Sequence, residues 1–289
     1  HRAALAQLLA ALGPEHPATL NPRINLAIAL FGQDRIDEAG AEFAQVRVDA
    51  TRLLGEGHPL LGPVLTNHAA VLWRQRRYPE ARVGFERALA IKEATLGPDH
   101  VGLATTLSNL AGVMGDQGEL AAAAPLLRRA LALYDRTAPA AGPDPRVVEP
   151  LVNLVLTELE LGDPAATADA ARASAVATAL AGPAGADAPS VFFPRVLVGW
   201  AQLAAGDPRA AARTLAPLPR HPGFAEAWAG EQLELLHAQA RAAAASGAPA
   251  AQLRALLALA EPLLAADDLS PRRRALVERE RAALAAALR

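Results

Sequence analysis

The segment Leu-Gly-x-x-His recurs at residues 12–16, 54–58 and 96–100, each copy 42 residues after the one before. A fixed period of this length signals a stacked array of one supersecondary unit, because a single unit buries its apolar face only against its neighbours. Stacked arrays present surfaces, which directs the expected activity towards binding. Inside one unit, Val64, Leu65, His68, Val71 and Leu72 recur at helical spacing, followed by Ala81, Phe85, Ala88, Leu89 and Ile91. Pro59 is the expected start of the first helix, and Arg76-Arg77-Tyr78-Pro79 the turn. The second helix runs to Leu96, with Gly97 expected in a left-handed C′ position and Pro98 blocking continuation. Alternating β-branched runs are absent, so the predicted class is all-α.

Composition excludes several alternatives. Hydrophobic residues make up 52% and aromatic residues only 4%, which favours helices packed through Ala and Leu. The net charge of −2 offers no basic field for nucleic acid. Lys92 is the single lysine among 28 basic residues, a skew that suggests GC-rich bacterial coding. The absence of cysteine removes disulfides, thiolate metal sites and cysteine nucleophiles. No apolar stretch is long enough to suggest a membrane span, and a cytoplasmic location is expected.

His16, His58 and His100 repeat with the fold, so neighbouring copies stand about 8–10 Å apart. Zinc takes its ligands at about 2.0–2.1 Å, so no metal site is expected, and these histidines are assigned to fixing the connector. The chain lacks a phosphate-binding GxxxxGK[ST] segment and a persuasive Ser-His-Asp order. Asp267-Asp268 and Glu278/Glu280 read as a turn and a solvated face. Neither enzymatic activity nor a cofactor is expected.

The phase of the repeat places His1 in register with Phe43 and Phe85, inside a second helix. The chain is therefore expected to be part of a longer array. Residues 1–180 form the regular portion and 181–289 a looser one. Helix pairs are expected at 146–161 with 164–180, 190–205 with 208–217, and 224–246 with 249–266. Gly162-Asp163-Pro164 and Gly206-Asp207-Pro208 are near-identical pair turns. The stretch Ala181 to Pro189 is expected to act as a mild hinge. A polar-backed helix from Ser270-Pro271 to Arg289, with Val277, Leu284 and Leu288 on its apolar face, is expected to cap the array.

Small and large residues within the units follow one pattern. It reads Leu26-Ala27, Leu30, Ala39, Phe43, Val46; then His68-Ala69, Leu72, Ala81, Phe85, Ala88; then Leu110-Ala111, Met114, Ala123, Leu127, Ala130. With the 42-residue length, the connector and the string Ala124 to Leu131, the chain resembles the kinesin-light-chain type of tetratricopeptide repeat. The resemblance covers roughly residues 12–136 well and 145–180 recognisably. It implies a right-handed superhelical solenoid whose first helices line a concave groove for an extended peptide, and hence a protein-binding scaffold. The alternative is a regulatory portion of a larger protein, such as a signalling kinase or protease, docking on its own catalytic domain.

Asn25, Asn67, Asn109 and Asn153 share one register in four first helices. Asn is a mediocre helix-interior residue, and its amide both donates and accepts, as a peptide backbone requires. Two explanations stand: contact with ligand backbone, or bonds to a neighbouring repeat that maintain stacking. Nearby, Trp73, Arg74, Gly112 and Gly115 are the candidate selectivity residues. The glycines either open an anchor pocket walled by Trp73 or permit close helix approach. Arg23 and Arg74 could clamp a carboxylate, but Asp116 and Glu160 make the groove mixed in charge. His68, at a position usually held by Leu, is expected to be a hydrogen-bonded core histidine.

Overall fold

The computed structural model describes residues 7–8, 10–13, 16–137, 142–227, 229–265, 274–275, 278–279, 281–282 and 285. These residues form helices and turns, with no strand among them. In chain order the α-helices are α1 (Leu20–Gly32), α2 (Ile36–Leu54), α3 (Leu61–Arg74), α4 (Tyr78–Leu96), α5 (Ala104–Asp116), α6 (Leu120–Arg136) and α7 (Val148–Leu161). They continue with α8 (Ala166–Leu180), α9 (Phe192–Ala204), α10 (Pro208–Leu215), α11 (Pro222–Glu226), α12 (Ala229–Ala245) and α13 (Ala250–Ala260). Two compact units are present, His1–Gln117 and Gly118–Arg289.

Within the first unit, each of α1 to α4 packs on the helix after it, and α3 also touches α1 and α5. The second unit repeats this rhythm: α7 packs on α6 and α8, and α9 on α7, α8, α10 and α12. The packing of α9 on α8 is continuous across the proposed hinge, where Gly182–Asp187 and Pro189–Val191 form short 3-10 turns. The expected capping helix lies largely outside the described residues, and so do Ser270, Pro271, Val277, Leu284 and Leu288.

The repeat pattern explains the core. Phe43 and Phe85 are buried at equivalent positions in α2 and α4, and the small residues Ala27, Ala39, Ala69 and Ala81 are fully buried at their own repeated positions. Small residues let the helices approach closely: a Cβ on Gly84 of α4 would stand 2.9 Å from the Ala69 Cβ of α3.

The connectors have a common chemistry. Gly55 and Gly97 end α2 and α4 at φ 88° ψ 159° and φ 87° ψ 158°. The positive φ agrees with expectation, but ψ is far from the left-handed helical value; this is a backbone region open essentially to glycine alone. The connector histidines then cap the helix that follows. Nδ1 of His16, His58 and His100 accepts from the backbone N–H of Ala18, Leu60 and Gly102 at 3.2, 3.2 and 2.9 Å. Asp144 does the same in the next repeat, accepting from Arg146 N at 2.9 Å. These imidazoles are acceptors satisfying orphan helix donors; they are structural, as the repeat arithmetic required.

Turns inside the pairs also share a register. Asp34, Arg76, Gly118, Gly162 and Gly206 all adopt positive φ, at 59°, 60°, 82°, 70° and 78°. Three boundaries differ from expectation. Tyr78 and Pro79 belong to the first turn of α4, where Pro has no N–H to lose. The first helix of that pair begins at Leu61, two residues after Pro59. The helix expected over 224–246 is split into α11 and α12, because Ala227 is extended (φ −67°, ψ 145°). Gln232 Nε2 donates to the carbonyls of Phe224 and Ala227 freed by this break, at 2.7 and 3.1 Å.

Candidate functional site

The first helices of the first unit, α1, α3 and α5, leave one face uncovered. Four registers line it: Asn21, Pro63 and Thr105; then Asn25, Asn67 and Asn109; then Ile28, Ala70 and Gly112; then Gly32, Arg74 and Asp116. Every one of these residues is exposed or half-buried, whereas Leu20, Ile24, Ala27 and Leu30 and their counterparts are buried or nearly so. The spacing i, i+4, i+7, i+11 puts the four rows on one helix face.

The asparagines occupy the second row. Asn25 is exposed, and Asn67 and Asn109 are half-buried. Among the described residues, none of the three side chains makes a hydrogen bond within the protein. Bonds between neighbouring first helices are made by other groups. Lys92 Nζ, on α4, donates to Thr106 Oγ1 at 2.8 Å and to the Gly102 carbonyl at 3.3 Å. The hydroxyls of Thr66 and Thr106 lie 3.1 Å apart across α3 and α5. Because Thr66 donates to the Gly62 carbonyl at 2.9 Å, it accepts from Thr106, so the donors run in one direction from Lys92 to Gly62. Burial of Lys92 lowers its pKa below the ordinary lysine value. This stitch went unrecognised in the sequence, where its one signal was a solitary lysine in an arginine-rich chain.

The remaining candidate residues have specific roles. The Trp73 ring lies directly over Gly112: a Cβ there would fall 2.5 Å from Trp73 Cη2. The indole therefore occupies the space that Gly112 vacates, the close-packed alternative rather than an empty pocket. Trp73 Nε1 donates to Asp116 Oδ2 at 2.7 Å. Gly115 is buried in α5. Arg74 pairs with Asp34 at 2.7 Å on the open face, an exposed pair of small energetic weight. Arg23 is turned away from this face, towards α2, where it meets Asp49 at 2.6 Å and Glu42 at 3.5 Å. A two-arginine carboxylate clamp is thus not assembled. His68 is half-buried and makes no side-chain hydrogen bond among the described residues, contrary to the expected core histidine. Burial lowers its pKa, helped by Arg47 and Arg77.

In the second unit, Asn153 holds the same register on α7, half-buried and again without a side-chain hydrogen bond among the described residues. On α9 of the same unit the equivalent residue is Leu197, fully buried in a cluster with Phe193 and Trp200. Trp200 stands at the register of Gly112, not of Trp73, with the Arg241 guanidinium 5.6 Å from its ring centroid. Glu158 of α7 is buried at a register where Leu30, Leu72 and Met114 stand elsewhere. Its Oε1 accepts from Arg128 at 2.8 Å, while Oε2 has no hydrogen-bond partner among the described residues. Burial raises its pKa to about 7. A cavity of about 500 Å³ between α10, α12 and α13 is lined by Ala212, Leu215, Ala242 and Leu256 without any titratable group.

Among the described residues, no group of three His, Asp or Glu side chains is arranged to hold a metal ion. No described helix is long and apolar enough to cross a membrane.

The tetratricopeptide repeat family model matches residues 24–94 and 60–136. No curated protein matches the chain. Among solved structures, the nearly identical TPR-like kinesin-light-chain repeats of Podosopora anserina are similar, at 20% identity and a TM-score of 0.60, covering 73% of this chain and 98% of that one. BtubC (BKLC) from P. vanneervenii is similar at 20% identity and a TM-score of 0.63, covering 78% of this chain and 91% of that one. Residues 24–136 are thus tetratricopeptide repeats, and the fold is of the kinesin-light-chain-like type.

Proposed function

We propose that this tetratricopeptide-repeat chain is a protein-interaction scaffold that holds an extended polypeptide across the open face of α1, α3 and α5. Asn25, Asn67 and Asn109 would contact the ligand backbone, and Trp73, Arg74 and Gly112 would shape the adjoining surface, with Gly115 buried beneath it. Asn153, at the same sequence register on α7, would make the same kind of contact within the second unit taken by itself. One observation supports this reading: three asparagines stand in one helical register with amides that make no hydrogen bond among the described residues. Asn in a helix interior is less favourable than Ala by roughly 0.5–0.7 kcal/mol, so a repeated Asn without an internal partner has a use outside the fold.

The test measures two quantities on Asn67→Ala and Asn109→Ala. Each change should leave thermal stability equal to or slightly above wild type, since a better helix former replaces a residue without internal bonds. Each should weaken binding of a peptide selected on the wild-type chain by about 2- to 12-fold, the range of one net hydrogen bond. Loss of stability with unchanged affinity would assign the asparagines to stacking instead.

A further inference from the structure

Resting on that reading, we infer that the segment held on this face is uncharged, with an apolar centre, and spans about six residues. The twelve residues of the four open rows contain only two charges, Arg74 and Asp116, both in the row at the turn end of the helices. Both are engaged within the protein, Arg74 by Asp34 and Asp116 by the Trp73 indole. Arg23, the one basic residue of α1, points to Asp49 and Glu42 on α2. A charged ligand side chain laid over the middle rows would lose water and meet no opposite charge, which is unfavourable.

The middle rows offer something else. The Asn row provides amides, and beside it runs an apolar row of Ile28, Ala70 and the Trp73 ring seated on Gly112. Ile28 is 46% exposed, so its side chain is open to an apolar partner on this face. Neighbouring first helices are in contact, so successive asparagines stand about 8–10 Å apart. At about 3.3 Å per extended residue, three helices match a stretch of roughly six residues. Its backbone would follow the amides while alternate side chains meet the apolar row.

The experiment is a selection from a random twelve-residue phage-displayed library on the wild-type chain, counter-selected on the Asn67→Ala/Asn109→Ala double variant. Enriched peptides should share an uncharged core containing aliphatic or aromatic residues. Their Kd should change less than twofold between 50 and 500 mM NaCl, and Ile28→Ser should weaken them at least fivefold. Asn-dependent peptides rich in Asp, Glu, Lys or Arg, weakening more than tenfold in salt, would overturn the inference and leave the asparagine reading standing. Peptides binding the double variant equally well, or no enrichment over it, would overturn the reading beneath both.

Discussion

Replacing Glu158 by Met probes the most unusual residue of the second unit. Glu158 is fully buried, and the equivalent residues of the preceding repeats are Leu30, Leu72 and Met114. Burial pushes its pKa from the ordinary 4.5 to about 7, the Arg128 bond opposes the rise, and Asp169 and Asp163 add to it. The unfolded chain releases the proton near 4.5, whereas the folded chain keeps it to about 7. Stability contributed by this group is therefore fully present below 4.5 and falls as pH rises to about 7. The difference, at 1.36 kcal/mol per pKa unit, amounts to about 3 kcal/mol at most. Met removes the charge at a register built for an apolar side chain. It strands no buried cation either, because Arg128 is 46% exposed and retains Asp163 at 2.8 Å. The variant should be more stable than wild type at pH 8 by about 1–4 kcal/mol, the usual range when a hydrophobe replaces a buried ion. Most of that gap should close by pH 5, where wild-type Glu158 is neutral. Urea unfolding followed by far-UV circular dichroism at both pH values measures the gap, and the NMR titration of the Glu158 carboxyl carbon locates its midpoint. A gap of equal size at both pH values, or a midpoint below 4.5, would refute this account and make the Arg128–Glu158 pair a stabilising one.

Four further outcomes are expected. Gly97→Ala should lower stability by about 1–3 kcal/mol in thermal unfolding, purely through the backbone, since an added Cβ meets nothing within 4 Å. Arg76→Gly should raise stability by about 0.5–1 kcal/mol, because Arg76 sits at φ 60° where Gly118, Gly162 and Gly206 stand in later turns; a decrease would show that the arginine side chain outweighs its backbone strain. Gly112→Ala should destabilise by about 1–3 kcal/mol despite the better helix propensity of Ala. It should also shift the Trp73 indole N–H resonance as the 2.7 Å bond to Asp116 is broken. His58→Ala should cost about 1 kcal/mol, while His58→Asp, which copies Asp144, should retain the cap; equal losses in chemical denaturation would argue against capping.

Much of the architecture is legible in the residues themselves. The 42-residue period, the glycine after each second helix and the Gly-Asp-Pro turns correctly locate the helix pairs, because each acts on a few neighbouring residues. The connector histidines were recognisable as structural from spacing alone, although their role as acceptors for the following N–H groups required the coordinates. Legibility fails around 222–229, where an alanine-rich stretch carries no breaker beyond Pro222 and Gly223. There the extended Ala227 is supported by Gln232, a bond that composition does not announce.

For the candidate site the division is sharper. The Asn register, the mixed charge and the candidate aromatic were all readable in one dimension. Whether those asparagines spend their amides inside the protein was not. That depends on which groups three-dimensional packing brings within about 3 Å, and packing gave the inter-repeat bonds to Lys92, Thr106 and Thr66 instead. The same holds for Trp73 filling the space of Gly112, for Arg23 turning to Asp49, and for the depth at which Glu158 is buried. Repeat period and helix identity were determined by the sequence because they arise from local backbone preference and nearest-neighbour stacking. The partners of individual polar side chains were decided only by the tertiary structure, since residues 14 to 43 positions apart must meet before a hydrogen bond or a desolvation cost exists.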